Sequence, residues 1–200
     1  MPAEVPTWLA SALIRPHAGH AKLTVARLAD EKTFGRGGFK LTSPAFDNGE
    51  ALDPCFTADE EDAVAPPLEW NAPPPGSQEI VILVEDADTN DDTLTCHWSA
   101  WGLPGQKGVL LEGETPPRVG KNSKRNSDWL LPAPPENDDA HQYVFQIFAL
   151  DLPMTLMPGA GYVDLVKGME NHVVAAAVLT GTYKREENDG DSDDRDEPDE

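Results

Sequence analysis

The chain has 200 residues, 36 acidic and 15 basic, for a formal charge of -21, and 39% of its residues are apolar. That length and apolar content suit one globular domain with its own core. So acidic a body repels nucleic acid and anionic lipid at long range, so neither is expected as a partner.

The first thirty residues, 1–30, read as a separate, part-helical arm. Thr7 is placed to cap a short helix that carries Trp8, Leu9, Ala12 and Leu13 on one side, with Pro16 ending it. Between Val5 and Ala29 the only charges are Arg15, Lys22 and Arg27. The stripe is short and the basic residues are few, which favours a packing or dimer-covering role over membrane targeting. A secretory signal is not expected, because a leading basic cluster and a small-residue cleavage site are missing.

From residue 31 to 185 the signals are those of a mainly β domain. Proline and glycine recur between short apolar runs, as in Pro73-Pro74-Pro75-Gly76, Pro104-Gly105 and Pro132-Ala133-Pro134-Pro135. Strands are expected near Phe39–Leu41, Glu79–Glu85, Cys96–Leu103, Gln142–Leu150 and Val173–Tyr183. The runs Val81–Val84 and Val144–Phe148 are apolar enough for central strands. The proline-rich section from Leu111 to Asp139 lacks core periodicity and reads as an ordered surface loop beside a pocket. Val163, Leu165, Val166 and Met169 suggest one short helix within Gly161–Asn171. Residues 186–200 contain ten acids and one arginine and nothing to bury, so an acidic disordered tail is expected. No run approaches the roughly 20 apolar residues of a transmembrane helix. Cys55 and Cys96 form neither a disulfide framework nor a paired zinc motif. They read as reduced thiols of a cytoplasmic protein, with a single bridge as the alternative.

The chemistry concentrates at strand ends. Asp86 and Asp88 follow the run Ile80-Val81-Ile82-Leu83-Val84-Glu85, His97-Trp98 comes a short loop later, and His141-Gln142-Tyr143 opens another apolar run. If these segments are neighbours, two carboxylates, two imidazoles and a phenol converge on one pocket. Imidazole N–H and phenol O–H groups suit an anion, and the aspartates would orient the rings and favour their protonated form. Ser99 lies two residues from His97, on the same face of a regular strand, with no third group to make it a nucleophile.

Pro66-Pro67-Leu68-Glu69-Trp70, Asp86-x-Asp88, His97-Trp98, Pro134-Pro135, His141-x-Tyr143 and Gly181-Thr182-Tyr183, in this order, resemble the phosphatidylethanolamine-binding protein family, in particular its bacterial Raf-kinase-inhibitor-like branch. The resemblance covers Phe39 to Arg185. It implies a β-sandwich with a large antiparallel sheet and a pocket for phosphate, phosphorylethanolamine, acetate or similar anions. It further implies that Asp86, Asp88, His97, His141 and Tyr143 line that pocket and that the protein is a homodimer; Pro134 is expected to bind the ligand beside them, and Trp70 and Trp98 are expected as walls because tryptophan in such runs supplies buried area. Three features depart from the family pattern. The turn reads Asp86-Ala87-Asp88-Thr89-Asn90 without its two prolines, Gln142 replaces an arginine, and Leu131 replaces a glycine.

The resulting expectation is a non-enzymatic receptor for a small phosphate-bearing or carboxylate anion, without catalytic residues, metal or cofactor, and modulating a protein partner such as a kinase. The alternative is a metal-dependent hydrolase with Asp86, Asp88, His97 and His141 as ligands.

Overall fold

A computed structural model of the chain describes residues 4–89 and 93–185. The acidic tail expected at 186–200 lies outside the described residues. In chain order the elements are helices α1 (Thr7–Ala10) and α2 (Thr24–Leu28), then strands β1 (Leu41–Thr42), β2 (Leu68–Trp70), β3 (Glu79–Asp86), β4 (Thr95–Pro104), β5 (Gly108–Leu110), β6 (Arg118–Val119) and β7 (His141–Leu150), then helix α3 (Tyr162–Met169) and strand β8 (Val173–Tyr183). Two antiparallel sheets result, one in the order β6-β4-β3-β7-β8 and a smaller one in the order β1-β2-β5.

The central strands explain the layering. Every residue of β3 and of β7 is buried, which requires cover on both faces of the large sheet. Alternate side chains of a strand point to opposite faces. Ile80, Ile82 and Val84 of β3, with Tyr143, Phe145 and Ile147 of β7, pack with Leu41, Leu68, Trp70 and Leu110 from the small sheet and its surroundings. Val81, Leu83, Val144 and Phe148 face the other way. They meet Leu9, Leu13, Leu23 and Val25 of the arm and Leu165 and Met169 of α3. The arm is therefore a packing layer of its own chain. Each of its fully buried apolar side chains contributes about 1.5–3 kcal/mol.

Several local expectations need correction. Thr7 is the first residue of α1 rather than its cap; Pro6 takes the cap position without a side-chain bond. The helix stops at Ala10, well before Pro16, where Ser11 turns its hydroxyl back onto the Trp8 carbonyl. β1 begins at Leu41 rather than Phe39, because the left-handed glycines at 35, 37 and 38 hold the preceding chain in a tight turn. Both cysteines are free, Cys96 buried and Cys55 half-buried.

The arm is fastened by a buried polar knot as well as by apolar contact. Glu85, on the arm-facing side of β3, accepts from the Thr24 N–H at 2.8 Å, from the Thr24 hydroxyl at 2.6 Å and from Gln146 Nε2 at 2.6 Å. Gln146 in turn accepts from the Val25 N–H at 2.7 Å. Burial pushes the Glu85 carboxyl above the usual range, against the pull of these donors.

Candidate functional site

The register of the large sheet assembles the site. Asp86, the last residue of β3, pairs with Tyr143 of β7, so His141, two residues back along the same face, stands diagonally across from Asp86. The Asp86 Oδ2 to His141 Nδ1 distance is 2.8 Å. His97 reaches the same region by an irregularity. Val84 pairs with Trp98, while the next residue, Glu85, pairs with Cys96, leaving His97 as the extra residue of a β-bulge. A bulge re-aims a side chain that strict alternation would send to the other face. The His97 ring accordingly sits edge-on to Tyr143, with centroids 5.0 Å apart.

These groups form one side of a cavity of about 460 Å³. Asp86, Thr95, His97, His141 and Tyr143 come from the strands; Leu130, Leu131, Ala133, Pro134 and Pro135 come from the proline-rich loop, with Lys124 and Asp138 at its two ends. The loop is anchored at His97, whose carbonyl accepts from the Leu130 N–H at 3.0 Å and whose Nδ1 lies 2.6 Å from the Leu130 carbonyl. Trp129 holds it from behind, stacked on Phe145 with centroids 6.0 Å apart and donating from Nε1 to the Phe56 carbonyl at 3.0 Å.

The protonation states differ between the two histidines. A carbonyl accepts only, so His97 carries its proton on Nδ1 and spends it on Leu130, leaving Nε2 as an acceptor. Burial lowers the His97 pKa more than the Leu130 bond and Asp86 raise it, and the ring stays neutral at neutral pH. At His141 burial also opposes charge, but the bond to and charge of Asp86, aided by Asp138 and Asp88, outweigh it and raise the pKa. With Nδ1–H engaged by Asp86, protonated His141 offers its Nε2–H, which lies 3.4 Å from Asp138 Oδ2. Burial, then the Asp86 charge, push the Tyr143 phenol up, so it remains an O–H donor. The site thus presents one ionisable imidazolium, one phenol and the Lys124 ammonium, against the fixed acids Asp86 and Asp138.

Of the residues expected in the pocket, Asp86, His97, His141, Tyr143 and Pro134 are brought together, and Leu131 lies in the wall beside them. Asp88 is not among the lining residues. It turns toward the arm, where Oδ1 is 2.5 Å from His17 Nε2 and Oδ2 accepts from the Gln142 N–H at 2.5 Å. Neither tryptophan is a wall of this cavity. Trp70 is buried in the small sheet, lying over Gly108 and donating from Nε1 to the Gln106 carbonyl. Trp98 does not line the cavity and meets Trp129 edge-on at 6.3 Å. Ser99 pairs with Leu83 on the arm-facing side, so the bulge separates it from His97. Gln142 is buried.

Lys124 and Asp138 were not singled out from sequence, although signals existed. Residues 118–125 hold four of the chain's 15 basic residues, and Asp138 stands three residues before His141. The hydrolase alternative gains no ligand set, because Asp88 is held by His17 and the Gln142 N–H and does not line the cavity. Among the described residues the only His/Cys/Asp/Glu trio with ligand atoms mutually within 4.8 Å is His17, His20 and Asp88.

A large antiparallel sheet covered on both faces, with a small cavity between polar groups at its strand ends and an apolar proline-rich loop, defines the class of β fold. The chain belongs to the phosphatidylethanolamine-binding protein family, whose model matches residues 42–184. Among curated relatives, the UPF0098 protein PH1269 of Pyrococcus horikoshii is 32% identical over 151 residues, covering 72% of this chain and 75% of that protein. A putative lipoprotein LppC of Mycobacterium tuberculosis is 30% identical over 148 residues, covering 72% and 71%. Among solved structures, the putative phosphatidylethanolamine-binding protein homologue CT736 of Chlamydia trachomatis superposes with a TM-score of 0.69 at 29% identity, covering 74% of this chain and 98% of that one. E. coli YbcL shares the fold, with a TM-score of 0.67 at 20% identity and coverage of 74% and 99%. No helix among the described residues is long and apolar enough to cross a membrane.

Proposed function

We propose that the chain is a non-enzymatic receptor for a small phosphate-bearing or carboxylate anion, held in the cavity between the ends of β3, β4 and β7 and the 124–138 loop. The observation that carries this reading is the His141 ring. It is oriented by Asp86 through Nδ1, raised in pKa by its acidic neighbours, and set at the cavity wall with Nε2 uncommitted to any backbone group. Tyr143 and Lys124 supply further donors, while neutral His97 accepts from a protonated phosphate oxygen or from an ammonium group on the ligand. The cavity is at the small end of the range for ligand sites, which suits a head group rather than a whole lipid.

A protein partner such as a kinase enters this reading as a sensor of the occupied cavity. A homodimer is expected from the family branch, and sedimentation velocity of the full chain tests it. Two unpaired thiols favour a reducing, cytoplasmic location; the LppC relative is named a lipoprotein, so cell fractionation is the deciding measurement.

Calorimetric titration of inorganic phosphate and phosphorylethanolamine into the protein tests the receptor reading. An anion favours protonated His141, so binding is present below the raised His141 pKa and weakens as pH rises through it. Losing a charge-assisted bond costs about 1.5–3 kcal/mol, so affinity falls roughly tenfold or more between a pH below the raised His141 pKa and one above it, and similarly in His141→Gln at the lower pH. Equal affinity at both pH values, or an unchanged His141→Gln, overturns the reading.

A further inference from the structure

A continuous line of hydrogen bonds joins the arm to the cavity. His17 Nε2 lies 2.5 Å from Asp88 Oδ1, the Asp88 N–H donates to Asp86 Oδ1 at 2.7 Å, and Asp86 Oδ2 holds His141 Nδ1 at 2.8 Å. A second clasp runs beside it. The Gln142 carboxamide accepts from the Arg15 N–H at 2.9 Å and donates to the Arg15 carbonyl at 3.0 Å, while the Arg15 guanidinium donates to the Ala140 carbonyl at 2.6 Å. The turn Asp86-Ala87-Asp88-Thr89 has no proline to fix its backbone. Instead the arm presses on it: a Cβ on Gly19 would lie 2.6 Å from the Ala87 carbonyl oxygen, so only glycine permits this approach.

The trio His17, His20 and Asp88 has the spacing of a metal site, but its hydrogen bonds contradict one. His17 Nδ1 accepts from the Gly19 N–H and His20 Nδ1 accepts from the His17 N–H, both at 3.1 Å. Metal-binding histidines do the opposite, donating from the second ring nitrogen. With both Nδ1 atoms accepting, both Nε2 atoms carry protons, and His17 Nε2–H is a donor aimed at the Asp88 carboxylate.

We propose that the arm is a positioning element of the cavity: His17 holds Asp88, and through the Asp86–Asp88 turn it fixes the carboxylate that orients His141. The inference rests on the receptor reading for its consequence in binding, but not for its geometry. The hydrogen bonds of the His17 ring go to Asp88 and the Gly19 N–H, so it acts on His141 through Asp88 and Asp86. The titratable groups facing His141 are Asp86, Asp138, Asp88 and His97 with Tyr143 beside them, and those facing His17 are His20 and Asp88.

Two substitutions separate the functions of the His17 ring. His17→Asn keeps an acceptor for the Gly19 N–H, as asparagine does at helix caps, but is too short to reach Asp88. His17→Gln places an N–H donor near Asp88 and gives up the cap. In the full chain, NMR titration of the His141 ring and calorimetry with inorganic phosphate are the two readouts. In His17→Asn the His141 pKa falls by about 0.5 or more and phosphate binds about fivefold more weakly, whereas His17→Gln restores both. An unchanged His141 titration in His17→Asn, or a His17→Gln protein that loses as much as His17→Asn, overturns the inference. If the unaltered protein binds no phosphate, the receptor reading fails, and the His141 titration alone decides the role of the arm.

Discussion

Replacing Glu85 probes the knot that ties the arm to the large sheet. Its carboxylate is fully buried and takes three hydrogen bonds, two from Thr24 and one from Gln146. Glu85→Ala orphans the Thr24 N–H and the Gln146 amide and opens a cavity beneath the arm. Each buried donor left without a partner costs about 1–3 kcal/mol, while removing the desolvated acid returns part of that, for a net loss of about 2–4 kcal/mol. Glu85→Gln tests the charge separately. The folded-state pKa of Glu85 lies above its unfolded value because burial disfavours the anion. Its contribution is therefore fully present below the unfolded pKa, about 4.3, and is lost as pH rises through the raised folded value. The glutamine variant has no such loss, so its stability relative to the unaltered protein improves from pH 4.5 to pH 8. Urea denaturation of the pair across that range isolates the effect, because the other carboxylates cancel in the difference. A difference that stays flat with pH, or a Glu85→Ala loss under about 1 kcal/mol, refutes the reasoning about buried charge and orphaned donors.

Two further outcomes follow from packing. The Ser99 hydroxyl is fully buried without a partner, so Ser99→Ala leaves stability unchanged or raises it by up to about 1 kcal/mol in thermal melts, and a comparable loss would reveal a bond the geometry does not show. A Cβ on Gly108 would come within 2.4 Å of the Trp70 ring, so Gly108→Ala lowers the urea midpoint by an equivalent of about 1–3 kcal/mol; an unchanged midpoint means that β2 and β5 separate freely.

Long apolar runs were legible in the sequence, and short pairings were not. The strands at 79–86 and 141–150 announce themselves because a strand buried on both faces is mostly apolar, and the strand at 173–183 does so by its apolar run from Val173 to Leu179. β2, β5 and β6 span two or three residues each, too few for any period to register. They exist because partners elsewhere in the chain complete their hydrogen bonds. The role of the 111–139 segment as a loop beside the pocket was legible from its prolines, and it supplies Leu130 to Pro135 and Asp138 to the cavity. Which of its residues face the cavity depends on anchors such as Trp129 on Phe145, which join positions far apart in sequence.

The aspartates and histidines show where reading by motif stops. Asp86 and Asp88 are equivalent by spacing, two residues apart and both ahead of the same loop. The strand ends at Asp86, so alternation no longer governs Asp88, and the backbone turns it onto His17 and Gln142 instead of the cavity. His97 is the converse case. In a regular strand it would share a face with Ser99 and oppose Trp98, yet the bulge opposite Val84 and Glu85 brings it to the cavity beside Tyr143 and leaves Ser99 behind. A bulge costs a ladder position and leaves no mark on residue type. The position of His97 is therefore set by the pairing of β4 with β3, a property of two strands that neither sequence carries alone.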